Sequence, residues 1–527
     1  MPRALQTGDS TIAGPGLLSQ MPRSEAKPAQ PSVALGVPAA VAMAIADWLA
    51  GAPGDGAQEI ALKVRAKRGN GLLVDLAGYV ADRIGQAADL DELAGLATRH
   101  LGDGDLADLA QVTNALSERR QLAAAQVLVE AGWSVGANRR QPLTMTYGLM
   151  LVTAQRAPEA LEPLKTSTVE KPDDATAWFN LALAYVFLCD YDQAWPAFRK
   201  ALGLSPRNPR IMASWGLALL TAGLPERAWP LYEGRMALGD QRKRHDQPTP
   251  MWHGAPYPGE TLFVYGEQGF GDFIQFARYL PAVKELGGQL VIGCRKPLIP
   301  LLSRMDCVDA VVAFDPGGPT PKHDQRVPVM SLAQYVDPRL ERAGMDQPYL
   351  GAPPHKGLPR AGKTPRIGLA WGCSPTGSGA AFKRVPTPLL APLIETGAAA
   401  RWFSLQFEAD VNAELSDVPF GDTISQKLSG AMKDFGDAAA NLTAMDLIIT
   451  TDTATAHLAG AMGLPAWVLL QRYADWRWGE NGDTMPWYPS LRLFRLEEVG
   501  AWQPLIAKVS KALEAWLQDW RPPTRKQ

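Results

Sequence analysis

The sequence predicts an α-helical repeat solenoid followed by a pair of parallel α/β domains. Three observations predict it. Small and aromatic residues recur every 34 residues across the second part of a long helical region ending near residue 240. Beyond 260, short apolar strands alternate with helical stretches. A Pro-rich stretch, 345–365, then splits that alternation into two halves. A chain of 527 residues is too long for one core, so two to four domains are expected.

Residues 1–38 are rich in Pro, Gly, Ser and Gln without periodicity and read as a disordered tail. The apolar run 33–47 is mostly alanine, is broken by Gly36 and Pro38, and starts late for a secretory signal. It reads as an ordinary helix opened by Pro38. Residues 39–106 are helical without a clear period. Cys189, Cys294, Cys307 and Cys373 are scattered with no metal-ligand spacing, the pattern of reduced thiols in a cytoplasmic protein. A formal net charge of −2 gives no pull toward nucleic acid, and no apolar run is long enough for a membrane span.

From 107 to 240 the period becomes explicit. Trp178, Leu181, Ala182, Tyr185, Ala194, Phe198, Ala201 and Pro206 match the tetratricopeptide pattern. The same register holds Tyr147, Gly148, Leu151, Ala160 and Pro172 one unit earlier, and Trp215, Gly216, Leu219, Ala228 and Tyr232 one unit later; a fainter copy covers 107–140. Small residues belong where two helices approach closely, and the aromatics fill the gap beside them. The array should fold without the rest of the chain, because each hairpin packs only on its neighbours. Its concave face suits a protein segment, and Asn180 is a candidate polar residue on that groove.

Residues 241–260 have the composition of a linker. The first α/β half, 261–348, opens with a strand, a Gly-rich loop and a helix, "TLFVYGEQGFGDFIQF"; the next strand is "QLVIGC". The second half, 365–500, carries the strands "RIGLAWG", "ARWFSLQ", "DLIITTD" and "AWVLLQ". The closing helix, 501–520, is expected to cross back onto the first half. Two such halves face each other across a cleft, and ligands bind beyond the carboxyl ends of the strands.

One corner stands out. In "DLIITTDTATAHLAGAMG" a buried strand runs into a small-residue helix. The first N–H groups of that helix, at Ala454, Thr455 and Ala456, lack helical partners and face an anion, with Thr451 and Thr453 adding hydroxyls. His457, in the first turn, should be neutral and able to donate. On the residues alone two readings stand: a phosphate site, or a helix capped by Asp452 or Thr453 with His457 in the core.

The stretch Asp452, Thr453, Ala454 and His457 resembles the D-T-G-x-x-H motif of inverting GT-B glycosyltransferases, the heptosyltransferase-like family 9, with Ala454 in place of glycine. The resemblance implies that this corner binds the donor's phosphates. Gly266, Glu267, Gln268, Gly269 and Gly271 resemble that family's acceptor-side loop, whose aspartate is the proposed catalytic base; the match is Asp272, which could alternatively be a helix N-cap. The loop 370–386 resembles the one whose basic residue contacts donor phosphate, a place filled by Lys383 or Arg384, with Ser374 beside them. The segment Gly377–Ala381 is bare where relatives carry His, Asp and Arg. Gln406, in "SLQ", and the segment 475–489 complete the likeness, which covers nearly all of 250–520. With repeats in front, the architecture also resembles O-GlcNAc transferases. "GEQGFG" is not G-x-G-x-x-G, so a dinucleotide reading is disfavoured.

The resemblance implies an inverting transferase that needs no metal or other cofactor. Asp103–Asp105, a D-x-D of the kind that holds metal in other transferases, reads as a loop in the helical region. Lys383, Arg384 and the helix N-terminus would stabilise the leaving phosphate, and Asp272 would take the acceptor's proton. Repeats beside such a pair imply a protein acceptor with Ser/Thr-linked sugar. Flagellin is the first expected partner, and a nonulosonic acid on CMP the first expected donor, with UDP- and ADP-sugars open. Two rivals remain: a non-catalytic repeat-based adaptor on a GT-B scaffold, and a lipopolysaccharide or polysaccharide transferase.

Overall fold

The computed structural model describes residues 143–239, 248–341, 348–353 and 363–522, except Gln268, 316–317, 375–379 and Lys427. Before 143 it describes 90–99, 103–118, 121–134 and isolated helical positions at 41, 45, 72, 73, 76 and 79. The expected tail 1–38, nearly all of 33–47, Gln268 and residues 377–379 of the bare segment lie outside the described residues. The chain divides into two compact units, Met1–Thr146 and Tyr147–Gln527.

In the first unit, helices Leu90–Arg99, Asp103–Glu118 and Leu122–Trp133 bury Leu93, Leu106, Leu109 and Leu128. Asp103–Asp105 therefore opens a helix; the expected loop is not there.

The second unit begins with three helical hairpins. Their second helices start at Ala157, Tyr191 and Pro225, in the 34-residue register of the sequence. Asp174, Asp190 and Asn208 cap helices with side-chain hydrogen bonds. The small residues sit at close approaches: a Cβ on Gly148 would lie 2.5 Å from Leu164, and one on Gly216 2.5 Å from the Tyr232 backbone. Phe198 stacks on Trp215 of the next hairpin at 5.6 Å. The aromatics are core. So is Asn180, which is 2% exposed with its Nδ2 unpartnered, so the expectation that it lines an open groove is wrong. Its position on helix Ala175–Phe187 points it into the packing between helices.

Two parallel sheets follow, giving the paired α/β layout expected of a GT-B fold. The first has strands β1 (Thr261–Tyr265), β2 (Gln289–Cys294), β3 (Ala310–Ala313) and β4 (Gln325–Pro328) in the order β3-β2-β1-β4. The second has β5 (Arg366–Ala370), β6 (Arg401–Ser404), β7 (Ile424–Ser425), β8 (Leu447–Thr451), β9 (Ala466–Leu470) and β10 (Leu491–Arg495) in the order β10-β9-β8-β5-β6-β7. β5, β8 and β9 are buried throughout, as parallel strands covered on both faces must be.

Three expectations about boundaries need correction. The linker 241–260 is ordered packing from 248 on: Met251 bridges Arg326 on the edge of the first sheet, and Trp252 and Tyr257 are fully buried. The closing helix, Trp502–Asp519, packs on Ala391–Thr396 and β10 of the second half and does not cross back, because its apolar stripe of Leu505, Ile506, Val509 and Leu513 completes that half's core. The repeats do not end in a core of their own either. One continuous core runs from Phe179 and Phe198 through Trp229 and Trp252 to Trp476 and Trp487, so the last hairpin shares its apolar face with the α/β pair. Among the described residues no helix is long and apolar enough to cross a membrane.

Candidate active site

Each sheet reverses its strand order once, between β1 and β4 in the first and between β5 and β8 in the second. Connections on the two sides of a reversal leave for opposite faces, which opens a crevice at the strands' carboxyl ends. The loops with chemistry all start there. Gly266–Gly271 follows β1, Trp371–Ser374 follows β5, and Asp452–Thr453 follows β8. The helices Phe270–Phe276 and Ala454–Ala461 then pack against each other across the cleft. Gly271 makes this possible, since a Cβ there would lie 2.7 Å from the His457 ring.

At the second-half corner, Thr453 occupies the cap position but makes no side-chain cap; its hydroxyl lies 3.3 Å from that of Thr450. Ala456 and His457 donate their N–H groups to the Thr453 carbonyl. The N–H groups of Ala454 and Thr455 find no acceptor among the described residues and remain for a ligand. Thr451 is fully buried, its hydroxyl 3.5 Å from the Gly372 carbonyl, so it ties β8 to the loop after β5.

Asp452 does not cap the helix. It accepts from the Trp478 indole at 2.8 Å, and its other oxygen lies 2.7 Å from Lys383 Nζ. Burial works against the Lys383 charge, but Asp452 more than offsets it, and the ammonium's pKa is raised. Lys383 is thus a fixed cation beside two open amides. Arg384 turns the other way, paired with Glu414, which also accepts from Thr387 at 2.6 Å. Of the two basic candidates only Lys383 reaches the corner. Ser374 is exposed at the end of the β5 loop. Gln406 is buried, accepts from the N–H groups of Trp371 and Gly372 at 3.1 and 2.9 Å, and donates to Glu408. It shapes the loop that leads toward Lys383.

His457 is buried and neutral. Burial pushes its pKa down to about 3 despite the pull of Asp452. Its Nδ1 lies 3.1 Å from the Tyr488 hydroxyl, and its ring packs on Trp478 at 5.1 Å.

Across the cleft, Asp272 is the third residue of its helix, and Gly269 is the N-cap. Asp272 Oδ2 accepts from the Gly269 N–H at 2.8 Å, the reach-back half of a capping box whose N-cap glycine has no side chain to return the bond, so its alternative as the N-cap itself is corrected to this role. Its Oδ1 lies 2.7 Å from Arg477 Nη2, and the side chain keeps 18% exposure toward the cleft. Glu267 is buried in a pair with Arg235, Oε1 to Nη2 at 2.8 Å. Gly266 donates to the Gly293 carbonyl at 2.9 Å, which fixes the start of the loop against β2.

Sequence reasoning missed Arg477. It is buried under Trp476 and Phe276 and spans Asp475 at 2.9 Å and Asp272 at 2.7 Å, joining the second half to the loop of the first. Its signal was present in "DWRW", where an acid and a base two residues apart are framed by tryptophans. Arg235 and Tyr488 gave no comparable signal. Among the described residues no group of three or more His, Cys, Asp or Glu could hold a metal ion.

No protein-family model matches the chain. It is 28% identical over 431 residues to Protein FlbA of Caulobacter vibrioides, across 75% of this chain and 70% of FlbA. Among solved structures it is similar to the family 9 glycosyl transferase of Veillonella parvula, with 12% identity, a TM-score of 0.37, and coverage of 51% of this chain and all of that one. It is also similar to the O-GlcNAc transferase of Thermobaculum terrenum, with 14% identity, a TM-score of 0.26, and coverage of 82% and 94%.

Proposed function

We propose that this protein is an inverting glycosyltransferase that moves a sugar from a nucleotide-sugar to Ser/Thr hydroxyls of a protein. The observation that carries the reading is the pairing of opposite chemistries across one cleft. Lys383 and the open N–H groups of Ala454 and Thr455 lie on one wall, and the Asp272 carboxylate lies on the other. The D-T-x-x-x-H stretch at 452–457 supports it from the sequence side.

The acceptor oxygen attacks the anomeric carbon and the bond to the donor's phosphate oxygen breaks. The hydroxyl proton passes to Asp272, and the charge arriving on the phosphate meets Lys383 and the two amides. A base and a leaving-group site on opposite walls favour a single displacement, hence inversion. With that charge work done by the chain itself, the reaction requires no metal, so EDTA should leave the rate unchanged; a strict metal requirement would contradict the proposal. The helical repeats joined to the cleft favour a protein acceptor, flagellin as the first candidate, with a CMP-nonulosonic acid as the first donor.

Two measurements test this. Intact masses of flagellin from cells with and without the protein should differ by a sugar, and the purified full chain should reproduce the gain. Asp272→Asn should lower transfer by ~10²–10⁴, the usual loss of a general base, with nucleotide affinity unchanged within a few-fold. Transfer to a glycan while every protein acceptor stays unmodified would replace the acceptor. Absence of transfer with any nucleotide-sugar would leave the adaptor role.

A further inference from the structure

The last repeat hairpin, Pro209–Tyr232 with the turn Glu233–Ala237, reaches both walls of the cleft. On one side, Trp229 packs edge-on against Trp476 at 6.4 Å, next to Arg477. On the other, Arg235 enters the first half and is buried there, with 4% of its side chain exposed against 1% for Glu267. It donates to both Glu267 oxygens and to the Ser331 hydroxyl at 2.7 Å, while Ser331 donates to Glu233 at 2.8 Å. Ser331 lies just after β4 and Glu267 just after β1, so this one arginine ties together the two loops at the first sheet's reversal point.

We propose that Arg235 is a positioning residue of the transfer reaction: through Glu267 it fixes the loop Gly266–Gly271 and so the place of Asp272. The inference rests on the transferase reading of the site. Its physical basis is a buried carboxylate on a loop of small residues. Glu267 and Asp272 stand five positions apart with two glycines, Gly269 and Gly271, between them, and such a segment has little stiffness of its own. Burial pushes the Glu267 carboxyl's pKa up, and Arg235 opposes that as its ion-pair partner. Tyr232 of the same hairpin packs its ring under the Arg235 guanidinium at 4.8 Å, and the charges of Arg477 and Asp272 both act on its phenol. The repeat array thus forms part of the site's wall, and a shift of its last hairpin is carried to the base. A reacting group displaced by about 1 Å can lose ~10² in rate.

The test uses the full chain with the neutral pair Arg235→Met/Glu267→Gln, which removes both charges of the link, and the charge-keeping Arg235→Lys. Hydrogen exchange across 263–273 reads the loop without any reference to activity. The double variant should lose protection there by at least tenfold. It should also lose at least tenfold in kcat for transfer, with nucleotide affinity within twofold of the parent, and Arg235→Lys should fall between. Should the double variant not fold, Arg235→Lys carries the test alone, with faster loop exchange and a lower kcat at unchanged nucleotide affinity. Unaltered loop protection, or a kcat within twofold of the parent in a folded variant, overturns the proposal. Failure of the parent to transfer any sugar would sink the transferase reading, while the exchange data would still judge the loop.

Discussion

The Lys383–Asp452 pair makes a quantitative prediction because a bound phosphate has to share the lysine with the aspartate. Lys383 Nζ has three donors and Asp452 Oδ2, at 2.7 Å, occupies one of them. Lys383→Met removes a charge-assisted hydrogen bond to the ligand, about 1.5–3 kcal/mol. It also uncovers the Asp452 charge, and like charges about 5 Å apart at an effective dielectric of about 20 repel by ~3 kcal/mol at most. The two effects add to roughly 1.5–6 kcal/mol, a loss of ~10–10⁴ in nucleotide affinity. Replacing Asp452 by Asn in the same molecule removes the repulsion and keeps the acceptor for the Trp478 indole. Lys383→Met/Asp452→Asn should therefore bind ~10–100-fold tighter than Lys383→Met alone, and Asp452→Asn alone at least as tightly as the parent. Calorimetric titration of CMP, UDP and ADP against all four proteins reads the cycle. If the double variant binds no better than Lys383→Met, Asp452 does not feel the ligand, and the phosphate is not at this corner.

Two further outcomes are expected. The unfolded chain protonates His457 near 6.5 and the folded chain only near 3, so the unfolded state holds more protons between those values. Stability should fall as pH drops through that window, by roughly 5 kcal/mol at its lower end, and His457→Gln should flatten the fall in urea unfolding curves taken from pH 7 to 4; equal pH slopes for parent and variant would count against a buried neutral histidine. Gly271→Ala places a methyl 2.7 Å from the His457 ring, an overpacking that costs about 1–3 kcal/mol. It should lower the melting temperature and the transfer rate together while nucleotide affinity holds, and an unchanged rate would show that the two loops are not in contact during catalysis.

Much of this was legible in the residues, for identifiable reasons. The repeats announce themselves because close helix packing demands Gly148 and Gly216 at fixed register. The strands β1, β2, β5, β6, β8 and β9 are apolar runs closed by polar or glycine turns, whereas β3, β4, β7 and β10 are short or mixed and carry little signal. The corner at 452–457 was found as a motif, but the sequence could not say which side chains face the crevice. Thr451, Gln406 and Arg384 were candidates for donor contact, and the structure turns the first two to backbone groups and the third to Glu414. Asn180 failed for the same reason: helical periodicity says that a polar residue lies on a face, and only packing says whether a neighbour covers that face.

The pairings hardest to find from sequence share one property, which is that the two partners are distant along the chain. Arg477 meets Asp272 across the cleft, Lys383 meets Asp452 from β5 to β8, and Arg235 meets Glu267 from the repeats to the first sheet. Each pair joins loops that no backbone ladder connects. Side-chain pairs of this kind are costly to bury, and breaking one partner leaves an uncompensated charge. That cost acts against any movement of one loop alone, so the cleft is held as a set. The loops themselves are rich in glycine and small residues, which lets helices and ligands come close but gives little stiffness. Rigidity must then come from outside the loops, and here two of the three clamps reach the Asp272 loop, one from the second half and one from the repeats. A site built this way ties the last repeat hairpin mechanically to the loop that carries Asp272.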